Sequence, residues 1–99
     1  MKIDKKQAKE FLKDVNPDKS FWINNGPIIN NLKQLPKAIE KIDDNTFRYH
    51  VNKEKNDFSK WIDETIGDKT LSRNLRGIRT KQVFQKKLMS RIQALRRIE

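Results

Sequence analysis

The chain contains no cysteine. Disulfide staples, zinc–thiolate centres and thiol nucleophiles are therefore excluded, and a domain without such staples belongs more naturally in the cytoplasm than outside the cell. Glycine and proline are scarce, three of each. The glycines stand singly between predicted elements, so there is no Gly-rich phosphate loop. Long apolar runs are missing as well. The longest, Phe21–Ile23 and Pro27–Ile29, cover three residues each, against about 20 for a bilayer span. The opening Met-Lys-Ile-Asp-Lys-Lys segment lacks the apolar centre of a signal peptide. Acidic residues all but disappear after position 67, where only Asp68 and Glu99 remain.

What is present in abundance is positive charge. The 99 residues carry 23 Lys+Arg against 13 Asp+Glu, a net +10. Residues 1–67 are nearly balanced, with 13 basic and 11 acidic side chains. The remainder holds Lys69, Arg73, Arg76, Arg79, Lys81, Lys86, Lys87, Arg91, Arg96 and Arg97. A one-sided field of this kind attracts polyanions and raises encounter rates with them. The length suits one domain with one modest core. The hydrophobic share is only 34%, yet the apolar residues fall in periodic stripes, and eight aromatics are enough to seed a core.

Those stripes predict a mainly α single small domain over 1–99, with five to six helices and one short β-hairpin near 21–29. An N-terminal helix is expected within 1–15, where Ala8, Phe11, Leu12 and Val15 follow the i, i+3, i+4, i+7 pattern. Asn16-Pro17 stops it, because proline disfavours helical geometry in the residue before it. A central part, 20–77, begins with the hairpin. Asn25-Gly26 is the favoured pair for a type I′ turn with positive φ at both central residues, and Pro27 demotes its strand to an edge. Next comes a helix capped by Asn30 or Asn31, with Leu32, Leu35, Ala38, Ile39 and Ile42 on its buried stripe. Pro36 fits only the first turn of such a helix. Asp43-Asp44 caps a third helix carrying Phe47, Tyr49, His50 and Val51. Asn56 or Asp57 caps a fourth carrying Phe58, Trp61 and Ile62. Gly67 suits a helix C-terminus, and Asp68 restarts a short helix through Leu71 and Leu75. The last helix, 79–98, is basic and amphipathic, with Phe84, Leu88, Ile92 and Leu95 on its apolar side.

The motifs Asn25-Gly26, Phe47-Arg48-Tyr49-His50-Val51-Asn52, Asn56-Asp57-Phe58-Ser59-Lys60-Trp61 and Gly67-Asp68 occur in this order. In that order and spacing the stretch from Phe21 to about Leu75 resembles an uncharacterised small domain family common in archaea and also found in bacteria. It departs from the family pattern at the turn, where Asn stands for the more usual Asp, and at Pro36. The resemblance implies the helix-and-hairpin fold and carries no activity with it.

Candidate chemistry is sparse. His50, Glu54 and Asp57 sit at i, i+4 and i+7, a spacing that on one unbroken helix would offer a metal three ligands. Asn52 and the Asn56-Asp57 cap break that helix, so His50, Asn52, Asn56, Asp57 and Trp61 are read as structural and no metal or other cofactor is expected. No enzyme is expected either. The single histidine has no cysteine partner, and Asp43-Asp44 and Asp63-Glu64 are adjacent pairs that diverge by about 100° on a helix. Phe58–Ile78 has the outline of a helix–turn–helix, in which Ser72, Arg73 and Arg76 would face a groove. Trp22, between inward-pointing Phe21 and Ile23, falls on the outer side of the hairpin and is a candidate base or partner contact.

The expected function is non-enzymatic binding of nucleic acid, DNA or RNA. Arg73, Arg76, Arg79, Lys86, Lys87, Arg91, Arg96 and Arg97 would contact phosphates largely without reading sequence. The alternative is a protein-interaction module that pairs Phe84, Leu88, Ile92 and Leu95 with a partner helix or with a second copy of the chain.

Overall fold

Asp4 begins the first helix by a reciprocal cap. Its carboxylate accepts from the Gln7 N–H at 2.8 Å while the Gln7 side chain accepts from the Asp4 N–H at 3.4 Å. Two orphan donors of the first turn are thereby satisfied. The computed structural model describes residues 3–99, and α1 runs Lys5–Leu12 with Ala8 and Leu12 buried and Phe11 and Val15 packed partly against the core. The helix ends earlier than the expected stop at Asn16-Pro17, since Lys13 is already extended, and Pro17 instead opens a single 3₁₀ turn, Pro17–Lys19.

Strands β1 (Phe21–Trp22) and β2 (Ile28–Ile29) pair antiparallel, Phe21 opposite Ile29 and Trp22 opposite Ile28. The turn differs from the expected type I′. The Gly26 N–H bonds back to the Ile23 carbonyl at 2.9 Å, so Asn24 and Asn25 are the central pair. Of these positions, Asn25 has a positive φ, +56°, whereas Gly26 does not. Positive φ at the third turn residue alone is the type II pattern, which tolerates Asn there. Gly26 is required for another reason. A Cβ at that position would lie 2.7 Å from Ile23 Cγ2, and Ile23 is buried. Close approach, and not backbone handedness, selects this glycine.

The stretch expected as one helix after Asn31 is split. Asn31 caps a 3₁₀ turn, Leu32–Gln34, and α2 follows as Leu35–Lys41 with Pro36 in its first turn. There its missing N–H costs nothing. Asp43 caps α3 (Asp44–His50) through the Thr46 N–H at 2.8 Å. Asn56 caps α4 (Asp57–Trp61) through the Ser59 N–H and also donates to the Leu75 carbonyl. Helix α4 then widens into a π-helical turn, Ile62–Ile66, closed by the Gly67 N–H on the Ile62 carbonyl at 2.7 Å. Gly67 itself has φ +91°, the left-handed geometry expected of a C-terminal glycine. Asp68 caps α5 (Lys69–Leu75), and α6 runs Lys81–Ile98. A reciprocal serine pair ties α4 to α5. Each hydroxyl donates to the other residue's carbonyl, Ser59 to Ser72 at 2.7 Å and Ser72 to Ser59 at 2.8 Å.

The core is aromatic at its centre. Phe58 stacks on Phe21 at 4.8 Å between ring centroids and meets Phe84 at 5.7 Å, while Phe47 meets Phe84 edge-on at 5.4 Å. These contacts join the hairpin, α3, α4 and α6 in one cluster, and such pairs contribute about 0.5–1.5 kcal/mol each beyond the area they bury. Helix α6 packs against α1, α2 and α5. Its apolar stripe, Phe84, Leu88, Ile92 and Leu95, is buried within the chain. The expectation that this stripe meets a partner helix is therefore corrected. Other helices of the same chain already cover it, Phe47 of α3 and Phe58 of α4 among them at Phe84. The radius of gyration, 12.7 Å, is what a globular chain of this length gives. Among the described residues no helix is long and apolar enough to cross a membrane.

Candidate functional site

The eight cations singled out from the sequence do not share one face. On α6, Lys86 and Arg97 are eleven residues apart, three helical turns, and lie together on the solvent side. Lys87 and Arg96 are nine apart, about 180° around the helix axis, so they flank that side in opposite directions. Arg96 borders a shallow groove with Pro36, Lys37 and Glu40 of α2. Arg91 points inward. Its Nε and one terminal nitrogen donate to the two carboxylate oxygens of Asp68 at 2.7 and 2.8 Å, and Asp68 is 1% exposed. This forked pair pins α6 to the start of α5, and the Arg91 guanidinium is not free for a phosphate.

Arg73, Arg76 and Arg79 are exposed on and just after α5, but Ser72 is buried in the serine pair. The groove-facing role suggested for Ser72 by the helix–turn–helix outline is thus withdrawn. Its hydroxyl faces α4, not solvent.

Arg76 and Arg79 have company that the linear charge count hides. Together with Lys53, Lys55 and Lys60 they line an open groove of about 370 Å³ between the α3–α4 connection and the end of α5. Glu54 and Asp63 are its carboxylates. Asp63 is already engaged. The Lys69 ammonium, hydrogen-bonded to it at 2.7 Å, holds its carboxyl below the usual carboxylate range against some opposing burial, with Arg76 assisting at 3.9 Å. Among the described residues Lys53, Lys60 and Arg79 have no carboxylate within ion-pairing distance. The groove is net cationic.

A second open cleft, about 550 Å³, adjoins the first and shares Lys55 and Lys60 with it. Trp22 forms part of its wall and is 71% exposed, with Phe21 and Ile23 turned inward, as strand alternation requires. Tyr49 stands in the same wall at 53% exposure, and the Lys55 ammonium lies 4.6 Å from the centre of its ring. The cleft's floor is held by the residues read as structural. His50 Nε2 accepts from the Asn24 N–H at 3.0 Å, which leaves Nδ1–H to donate to Asp57 at 2.9 Å. The Trp61 indole N–H donates to the Lys19 carbonyl at 2.8 Å. Asn52 closes the loop after α3, donating to the Arg48 carbonyl and accepting from the Glu54 and Lys55 N–H groups. Both ring nitrogens of His50 are occupied by protein groups, and among the described residues no group of His, Asp and Glu is placed to hold a metal.

A model of the family of unknown function DUF5752 matches residues 16–97. The chain belongs to this family. No curated protein and no solved structure matches it. The match to DUF5752 takes in the hairpin with Trp22 and every groove residue from Lys53 to Arg79, and leaves out α1. Within this DUF5752 domain, Lys53, Lys55 and Lys60 are the site residues that sequence reasoning passed over. They sit in the stretch whose charges balance on paper. The one local signal was the Asn52–Asn56 turn, which folds the 52–60 segment back beside α5. In sequence Tyr49 is one more residue of a helix, and only the tertiary fold brings it to the same cleft as Trp22.

Proposed function

We propose that this domain is a non-enzymatic nucleic-acid-binding module that holds phosphates in the groove formed by Lys53, Lys55, Lys60, Arg76 and Arg79. The observation that carries this reading is the convergence of five cations from two segments about twenty residues apart on one groove, with three of them unpaired among the described residues. Arginine forks suit phosphate oxygens and lysines supply point charge, so the contacts hold the backbone and read little sequence. Arg73, Lys86, Lys87 and Arg97 add to the long-range field, Arg96 lies apart, and Arg91 serves the fold. The cysteine-free composition supports a reducing, cytoplasmic setting. The reading of the α6 stripe as a self-association surface loses its support, because that stripe is buried.

A salt titration tests the proposal. With about five phosphates neutralised on duplex DNA, log K falls against log[salt] with a slope of about −4 to −5. An Arg76→Glu/Arg79→Glu variant should bind far more weakly and with a shallower slope. Binding that ignores salt, or survives this charge reversal unchanged, removes the reading.

A further inference from the structure

We infer that the nucleic acid is single-stranded and that its bases stack on Trp22 in the cleft beside the cationic groove. This rests on the nucleic-acid reading above and adds to it the form of the ligand. Three observations carry it. First, an indole that is 71% exposed on a two-residue strand is not needed by the core, which is filled from the other side by Phe21 and Ile23. Second, the backbone that carries the indole is anchored on both sides. Phe21 is stacked on Phe58, and the next turn is tied down by the Asn24 N–H on His50. That stretch of backbone need not be ordered when a flat ring settles on the indole.

Third, the charges differ between the two depressions. The groove is net cationic, whereas the cleft balances Lys55 and Lys60 against Asp57 and Glu64, with Asp57 already bonded to His50 and Lys55. Phosphates are drawn to the first, and uncharged bases suit the second. Because Lys55 and Lys60 border both, a strand whose backbone follows the groove turns its bases toward Trp22 and Tyr49. In a duplex the base faces are covered by their neighbours, and a side chain meets only edges in the grooves. A flat aromatic at the rim of a cationic channel is a device for unpaired bases.

The test compares a labelled twelve-nucleotide oligothymidine with a twelve-base-pair duplex by fluorescence anisotropy at low salt, using the full chain. Expected are tighter binding of the single strand, a loss of about tenfold to a hundredfold for that strand in Trp22→Ala, and unchanged duplex binding. Tryptophan emission should be quenched by the oligothymidine and lose that quenching in Trp22→Phe, where Trp61 remains as the internal reporter. Circular dichroism confirms that these surface variants keep their fold. If Trp22→Ala binds the single strand as the parent does, or the duplex binds at least as tightly, the stacking inference is overturned while the phosphate groove stands. If neither nucleic acid binds at low salt, both are overturned.

Discussion

Asp68 carries two loads with one carboxylate. It caps α5 through the Leu71 N–H at 3.1 Å and accepts both prongs of Arg91 from α6. The pair joins residues 23 positions apart, which is why Arg91, seen in sequence, looks like one more member of a basic run. Removing one partner of a buried pair leaves an uncompensated charge and is far costlier than the pair is stabilising. Arg91→Ala is therefore expected to lower stability by about 3 kcal/mol. Arg91→Lys keeps the charge but loses the fork and should fall between. Urea denaturation with an unchanged m-value checks both. The same variants should leave phosphate affinity at native conditions nearly untouched, in contrast to Arg79→Glu. An equal loss of affinity in Arg91→Lys and Arg79→Glu would contradict the division made here between a fold-holding arginine and a surface one.

At the scale of the element, α6 shows what amphipathic spacing does and does not reveal. The Phe84, Leu88, Ile92, Leu95 stripe was legible, and so was the helix. Which surface covers it was not, because a stripe looks the same whether the chain's other helices or a second molecule lies against it. Leu88 is 0% exposed, so Leu88→Glu buries a charge with no partner at the centre of the core. The expected outcome is an unfolded chain by circular dichroism at 25 °C, and not a folded monomer released from a dimer by sedimentation. Leu88→Ala should remain folded and cost about 2–5 kcal/mol. The helix starts were readable for a local reason. Asp43, Asn56 and Asp68 each accept an N–H three residues on, and capping needs only neighbours in sequence. Other features needed more than the local pattern. Gly26 answers to the packing of Ile23 three residues back, and the cationic groove to a fold-back that brings Lys53 and Arg76 to one depression.

For the molecule as a whole, 23 cations on so small a body repel one another, and the 13 carboxylates hold that repulsion down at neutral pH. Three of them are held below their ordinary range in the folded state. Asp43 is lowered first by the Thr46 backbone N–H it caps, Asp63 by its hydrogen bond to Lys69, and Glu10 by its hydrogen bond to Lys13. A carboxyl whose folded value lies below its unfolded one stabilises the fold above the unfolded value and loses that contribution as pH drops through the folded value. With ordinary values of 3.8 for Asp and 4.5 for Glu, stability should be flat above about pH 5 and decline steadily below about pH 4. Protonation of the other carboxyls adds to the decline, because each removes a countercharge while every Lys and Arg stays positive. Asp43→Asn isolates one contribution. Asparagine preserves the cap but does not titrate, so its acid limb should be shallower than the parent's and its neutral-pH melting temperature little changed. Self-repulsion is screened by salt, with a Debye length of about 10 Å at 0.1 M. Thermal melts at pH 3 should therefore rise between low salt and about 0.5 M salt, whereas melts at pH 7 should move much less. A fold that is as stable at pH 3 as at pH 7 in low salt would mean that the caps and pairs named here contribute nothing as charges.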